Sequence, residues 1–265
     1  MPALPLPERG MNTARLLAIG WWMQMKMLMR SSFNSVLAVL YPLFFATVAF
    51  FMFRAGSPDA LLYASLGASV MGVWGAVSTS AGSAMQRERW EGTLELLVTA
   101  PARFPLVMLP TTIAMSSLGL YSMAATLLWG RLVFGIGVHI VHPLVFCVAI
   151  VVTVLSIGVT GFLMAVSFVR YRTAWALGNL FEYPVWLICG FLVPLSLFPG
   201  WVHPLAWVLA PTWGVNAIRE SALGGSPLLD LGLCAAIGIG CLAVGIAVSE
   251  RVLRSARARA TLALT

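Results

Sequence analysis

Charge is what this chain has least of. Only 9% of its 265 residues are Asp, Glu, Lys or Arg, whereas 60% are hydrophobic, and the mean hydropathy is +0.93. Soluble domains carry about 25% charged residues, so this chain has too little polar surface to face water. It reads as an all-α integral membrane protein with several spans. The length allows one membrane domain, with no room for a soluble catalytic domain beside it. Lysine is nearly missing: Lys26 stands alone and follows no glycine-rich loop. That excludes a Walker A site, so the chain cannot bind and hydrolyse ATP in that manner by itself. No nucleophile elbow, paired carboxylates or metal cluster is present, and no catalytic residue is nominated.

Cysteine and histidine are equally scarce. Cys147, Cys189, Cys234 and Cys241 all lie in apolar runs without metal-ligand spacing, and read as small packing residues outside any disulfide. His139 and His142 have HxxH spacing but no third ligand nearby, which favours polar loop residues over a metal site. Residues 1–10 contain three prolines and one acid, and no apolar core follows at the distance a cleavable signal peptide requires.

What charge there is falls in short segments between apolar runs. A nucleic-acid binder would gather its net +7 on one soluble face, so nucleic acid is not an expected partner. Residues 12–32 divide into a face with Asn12, Arg15, Lys26 and Arg30 and a face with Ala14, Leu17, Trp21, Met25 and Leu28. That division suits a helix lying at the membrane interface. Six spans are then expected, at 34–53, 60–85, 106–134, 141–169, 174–194 and 228–249, each near the ~20 residues that cross ~30 Å of hydrocarbon. The second is rich in small residues, with Gly72/Ala76 and Gly75/Thr79/Ser83 at small-xxx-small spacing. Gly158, Gly161 and Ala165 form another such seam, and Gly232, Ala236 and Gly240 a strict row.

Between the fifth and sixth spans, residues 195–225 hold Pro199, Pro204, Pro211, Trp201, Trp207, Trp213, Asn216, Arg219 and Glu220. The stretch is too broken to span and too apolar to be a free loop. A tryptophan-anchored hairpin dipping into the outer leaflet is expected. With the N-terminus inside, the inner segments, including the tail at 250–265, hold thirteen basic residues; the outer side holds Arg54, Arg131 and Arg219. The positive-inside rule therefore puts both termini in the cytoplasm.

One strongly charged island interrupts the apolar pattern on the inner side, Gln86 to Pro105. At 100° per residue Glu88, Glu91 and Glu95 fall within about 60° of one another on a helix, and Trp90, Leu94 and Leu97 line the opposite side. A short amphipathic helix at 86–100 is expected, with Pro101 and Pro105 ending it and restarting the chain as the third span. Such a helix suits a socket on a partner that is partly polar and partly apolar. Within the spans, Glu182 is the one acidic residue near mid-bilayer, open to a substrate, proton or gating role or to structural pairing with another helix.

The run Gln86-Arg-Glu-Arg-Trp-Glu-Gly-Thr-Leu-Glu-Leu-Leu-Val-Thr-Ala-Pro101 resembles the cytoplasmic segment of ABC-2 type transporter permeases, whose pattern is E-R-x-x-G-T-L-E-x-L-x-x-T-P. Glu88, Arg89, Gly92, Thr93, Leu94, Glu95, Leu97 and Thr99 match, with Ala100 inserted before Pro101. Pro184, Gly190, Pro194, Pro199, Trp201, Pro211 and Arg219 resemble the family's P…SG…P…P-W…P…R pattern, with Cys189 where serine is common.

The resemblance implies a coupling helix that docks on a separate ATP-binding subunit through Arg87, Glu88, Arg89, Glu91, Gly92, Thr93, Glu95 and Leu97, with a second contact at Arg170 and Arg172. It implies a second permease chain, as homodimer or heterodimer, and small-residue faces on the second and fifth spans are candidates for that contact. Membrane lipid surrounds the pair in the inner (plasma) membrane of a bacterial cell. ATP and Mg would sit on the partner subunit and no cofactor on this chain. The pathway or its gate is expected at Glu182, Pro184, Gly190, Arg219 and Glu220. The activity implied is export of a hydrophobic or amphipathic drug, antibiotic, lipid or glycolipid. Length and apolarity lie nearer the drug and antibiotic exporters. The rival assignment is an ion-coupled carrier or channel acting alone through Glu182.

Overall fold

A computed structural model of the chain describes residues 13–30, 58–90, 104–137, 139–168 and 174–259, with separate positions between 36 and 51. Among them every regular element is helical. The helices are α1 (Thr13–Arg30), α2 (Pro58–Trp90), α3 (Phe104–Phe134), α4 (Pro143–Phe168), α5 (Ala174–Ile188), α6 (His203–Trp207), α7 (Ala210–Leu223) and α8 (Pro227–Arg259). A single 3-10 turn at Leu195–Leu197 lies between α5 and α6.

Four stretches are long and apolar enough to cross a membrane: Ala60–Thr79, Pro105–Phe134, Pro143–Phe168 and Pro227–Val252. They correspond to the second, third, fourth and sixth expected spans. The first, 34–53, lies largely outside the described residues, although Phe50 is fully buried and its ring sits 4.8 Å from that of Phe134. The fifth, 174–194, is corrected: the helix stops at Ile188 after 15 residues, or about 22 Å. Gly190 adopts φ +69, the left-handed conformation that closes a helix, and Pro194 follows within four residues. The six-residue difference is the turn on which the candidate site is built.

Two further boundaries differ from expectation. The helix expected to begin afresh at 86 does not: α2 runs unbroken for 33 residues through Trp90, because no glycine or proline occurs between Gly82 and Gly92. Likewise α8 continues past the sixth span through Arg259, so that the first part of the basic tail at 250–265 is helical. Each rises about 50 Å, well beyond the hydrocarbon thickness.

The bundle closes around α2 and α4. Trp74, Leu66, Val70, Val73 and Val77 of α2, with Ile157, Phe162 and Val166 of α4, are all less than 2% exposed. Close approach requires missing side chains. A Cβ on Gly119 of α3 would lie 2.6 Å from Val73 Cα, and one on Gly158 of α4 would lie 3.1 Å from Ile113 Cα of α3. Along α8 the buried positions are Pro227, Asp230, Cys234, Gly238, Gly245 and Ser249, and Ser156 Oγ of α4 donates to Cys234 O at 3.2 Å. The Gly232, Ala236, Gly240 row is two residues, or about 200°, away from that face; it points outward, and Gly232 and Gly240 meet nothing within 4 Å.

α1 covers α3 with the apolar face read from sequence. Leu17, Trp21, Met25 and Leu28 are among its more buried positions, with Leu16, Gly20 and Gln24, whereas Ala14 is exposed; Trp21 Nε1 donates to Ser117 Oγ at 3.1 Å. The polar face stays open, with Lys26 Nζ 5.4 Å from the Trp22 ring centroid. All four cysteines are free, with Cys189 and Cys234 buried. His139 and His142 are both exposed.

Candidate functional site

α2 and α5 run antiparallel in close contact. A Cβ on Gly178 of α5 would stand 2.5 Å from Ser78 O, one on Gly75 would stand 2.8 Å from Glu182 Oε1, and one on Gly67 would collide with Phe191 O. Those contacts pair 78 with 178, 75 with 182 and 67 with 191, the register of two helices passing in opposite directions. Part of the second span's small-residue face is therefore used within the chain, against α5, while Gly75, Ala76 and Thr79 keep partial exposure.

At one end of the α2–α5 seam sits Arg219, carried by α7 and only 3% exposed. Its Nε donates to Tyr63 O at 3.2 Å, its Nη1 to Gly190 O at 2.9 Å, and its Nη2 to Phe191 O. The guanidinium carbon lies 3.5 Å from the Tyr63 ring centroid. The physical reason is local. The end of α5 leaves carbonyls without intrahelical donors and concentrates partial negative charge there. A planar guanidinium can serve several carbonyls at once and stack on an aromatic face, which an ammonium cannot. Glycine at 67 is required, because any side chain there would overlap Arg219 Nη2 and Phe191 O.

The hairpin that carries Arg219 is held by its own bonds. His203 Nε2 lies 3.0 Å from Leu195 O, Thr212 Oγ1 donates to Ala206 O at 2.7 Å, and Trp213 Nε1 to Trp207 O at 2.8 Å. Trp201, Leu205, Trp207 and Val208 are exposed, an aromatic and aliphatic rim of the sort that seats at a membrane interface. α7 closes at Gly224, φ +91, whose N–H and that of Gly225 both donate to Glu220 O. The segment before α4 is tied to the same end, with Val141 N donating to Ala222 O and His142 N to Ser221 O.

About two turns away along α5, Glu182 is buried against Gly75 at 8% exposure. Among the described residues it forms no hydrogen bond or ion pair. Glycine at 75 leaves the notch that the carboxyl occupies; the ring of Trp186 borders the same notch.

These observations can be set beside known proteins. Residues 15–223 match the family described as ABC-2 type transporter, a stretch that begins in α1 and ends with the last residue of α7. The chain belongs to the ABC-2 type transporter family. It is the permease component of an ABC transporter and a multi-pass membrane protein; permeases of this family normally work with an ATP-binding subunit. Comparison with curated proteins returns no match.

Of the residues expected at the permease's pathway, the structure brings Arg219 and Gly190 together. Glu182 lies apart, facing α2. Pro184 is exposed within α5, and Glu220 is half-buried, within electrostatic reach of Asp230 on α8. Of those expected to couple to the ATP-binding subunit, Arg87, Glu88 and Arg89 extend α2 as helix, with side chains outside the described set. Glu91, Gly92, Thr93, Glu95, Leu97, Arg170 and Arg172 lie outside the described residues. Sequence reasoning missed Tyr63 and Asp230. Tyr63 had no signal, since its partner is 156 positions distant. Asp230, an acid in the first turn of a helix, had one.

Proposed function

We propose that this permease is the membrane subunit of an ATP-driven exporter that moves a hydrophobic or amphipathic molecule out of the cytoplasm or inner leaflet of a bacterial plasma membrane. Energy comes from separate ATP-binding subunits that carry ATP and Mg, and two permease chains line the pathway. The observation that carries the reading is the family match over most of the chain, joined to a sequence whose lone lysine forms no Walker A. The coupling segment is 86–100, with Arg87, Glu88, Arg89, Glu91, Gly92, Thr93, Glu95 and Leu97 meeting the ATP-binding subunit and Arg170 and Arg172 adding a second contact. Six spans with both termini inside, and an outer hairpin at 195–225, complete the arrangement.

Rigid-body rocking of the helices then alternates access. The transmitting part is α2, one uninterrupted helix from the Arg219 knot to Trp90. The test is reconstitution of the full chain with the ATP-binding protein that co-purifies from its native host. Transport that requires ATP and both proteins supports the reading. Transport by the chain alone, dependent on an ion gradient and lost in Glu182→Gln, overturns it in favour of an ion-coupled carrier.

A further inference from the structure

We propose that the groove at Glu182 binds the positively charged centre of an amphipathic organic cation; this rests on the permease reading and specifies the class of its substrate. The groove follows from exposure along the two helices. On α2, Gly75, Ala76 and Thr79 are half-exposed while Val73, Trp74, Val77 and Ser78 are buried. On α5, Asn179 and Trp186 are half-exposed and Tyr183 is 53% exposed, while Gly178, Glu182, Val185 and Cys189 are buried. The two strips meet where Gly75 touches Glu182 and Trp186. On the other flank of α5, Phe181 stacks on Phe168 of α4 with centroids 6.0 Å apart while its outer side stays exposed. An open seam therefore runs along the side away from α4, with a carboxyl in its floor and small residues for one wall.

The opposite wall is aromatic. Tyr183 and Trp186 meet edge to face with centroids 5.1 Å apart, and Trp186 Cζ2 borders the Gly75 notch that the Glu182 carboxyl occupies. A carboxylate flanked by aromatic faces in an apolar setting is the chemistry that selects an organic cation. Burying a carboxylate with no counter-charge is costly, and a buried polar group in a span marks a functional contact before a structural one. No cation of the chain competes for Glu182 among the described residues. Arg219 is committed to carbonyls near Gly190, and Lys26 lies over Trp22. A neutral lipid would gain nothing from the acid, and an anionic one would be repelled.

The full-length chain in lipid nanodiscs should bind radiolabelled tetraphenylphosphonium saturably, and tetraphenylborate, of the same shape and opposite charge, should not compete. Glu182→Gln is expected to weaken binding by about tenfold or more, and Glu182→Asp to retain most of it. Tyr183→Leu, at an exposed position that threatens folding little, should weaken the phosphonium several-fold without admitting the borate. Saturable binding absent in the native chain, unchanged affinity in both Glu182→Gln and Tyr183→Leu, or equal competition by the borate would each overturn the proposal. A parallel arm measures ATP-driven uptake of the phosphonium by the chain with its ATP-binding subunit. Charge-selective binding without ATP dependence defeats the exporter reading and leaves the site standing. ATP-coupled transport with no charge preference does the reverse.

Discussion

Arg219 shows how one side chain can substitute for a length of helix. α5 ends early, and the carbonyls of Gly190 and Phe191 that would have bonded onward are taken by the guanidinium. Arg219→Ala leaves buried acceptors without donors at about 1–3 kcal/mol each, so a loss of roughly 2–5 kcal/mol is expected. Arg219→Lys should recover part of that, because an ammonium reaches fewer carbonyls and loses the stack on Tyr63. Thermal unfolding of the purified variants in detergent checks the order native, Lys, Ala; a Lys variant as stable as the native chain would refute the fork geometry. Gly67→Ala should be as damaging as Arg219→Ala, since the added methyl overlaps the same two groups. Arg219 stood out in the sequence as a polar residue in an apolar stretch, and Gly190 through the family pattern it resembles. That they meet each other, and that Tyr63 joins them, depends on a fold-level contact that no local pattern encodes.

Among the elements, the long helices were legible and their contact faces were not. Hydropathy alone placed α2, α3, α4 and α8, because ~20 apolar residues in a row have few alternatives. Which stripe of an all-apolar helix faces protein is a different matter, since lipid and core reward the same side chains. The Gly232, Ala236, Gly240 row obeys the spacing of a packing seam and yet lies outward, while the seam in use includes Cys234 and Gly238. Two substitutions separate these faces. Gly240→Leu should leave the unfolding free energy within about 0.5 kcal/mol of the native chain's, as surface changes usually do. Gly238→Leu should cost about 1–3 kcal/mol or more by overpacking against Ser156. Equal tolerance at both positions would show that α8 is turned otherwise. The break in α5 was half-legible: Gly190 and Pro194 were visible, but an apolar run continues through them, and hydropathy does not register a φ of +69.

For the whole molecule, the fold and family fit a division of labour in which the chain supplies a path and another protein supplies energy. In the proposed transporter, Glu88→Ala combined with Glu95→Ala should cut ATP-driven transport at least about tenfold while leaving folding, as judged by thermal unfolding, within about 0.5 kcal/mol. Full transport by that double variant would remove 86–100 from the coupling role. The charged island was the clearest functional signal in the sequence, since charges set between two spans have few other reasons to be there. How its side chains are presented was not legible, because residues 86–90, expected to open a separate helix, continue α2 instead.

That continuity has a mechanical consequence. α2 presses backbone to backbone on Gly119 of α3 at Val73, with about 25 Å of helix on the Trp90 side and about 15 Å on the Tyr63 side. A stiff rod held at such a point is a lever with unequal arms. A push of about 2 Å at the long arm returns about 1.2 Å at the short one, in the opposite direction and with more force. Near the end of the short arm is the Tyr63 ring on which Arg219 rests, so in the proposed transporter a motion begun at the Trp90 end would arrive reversed and strengthened at the bonds Arg219 makes.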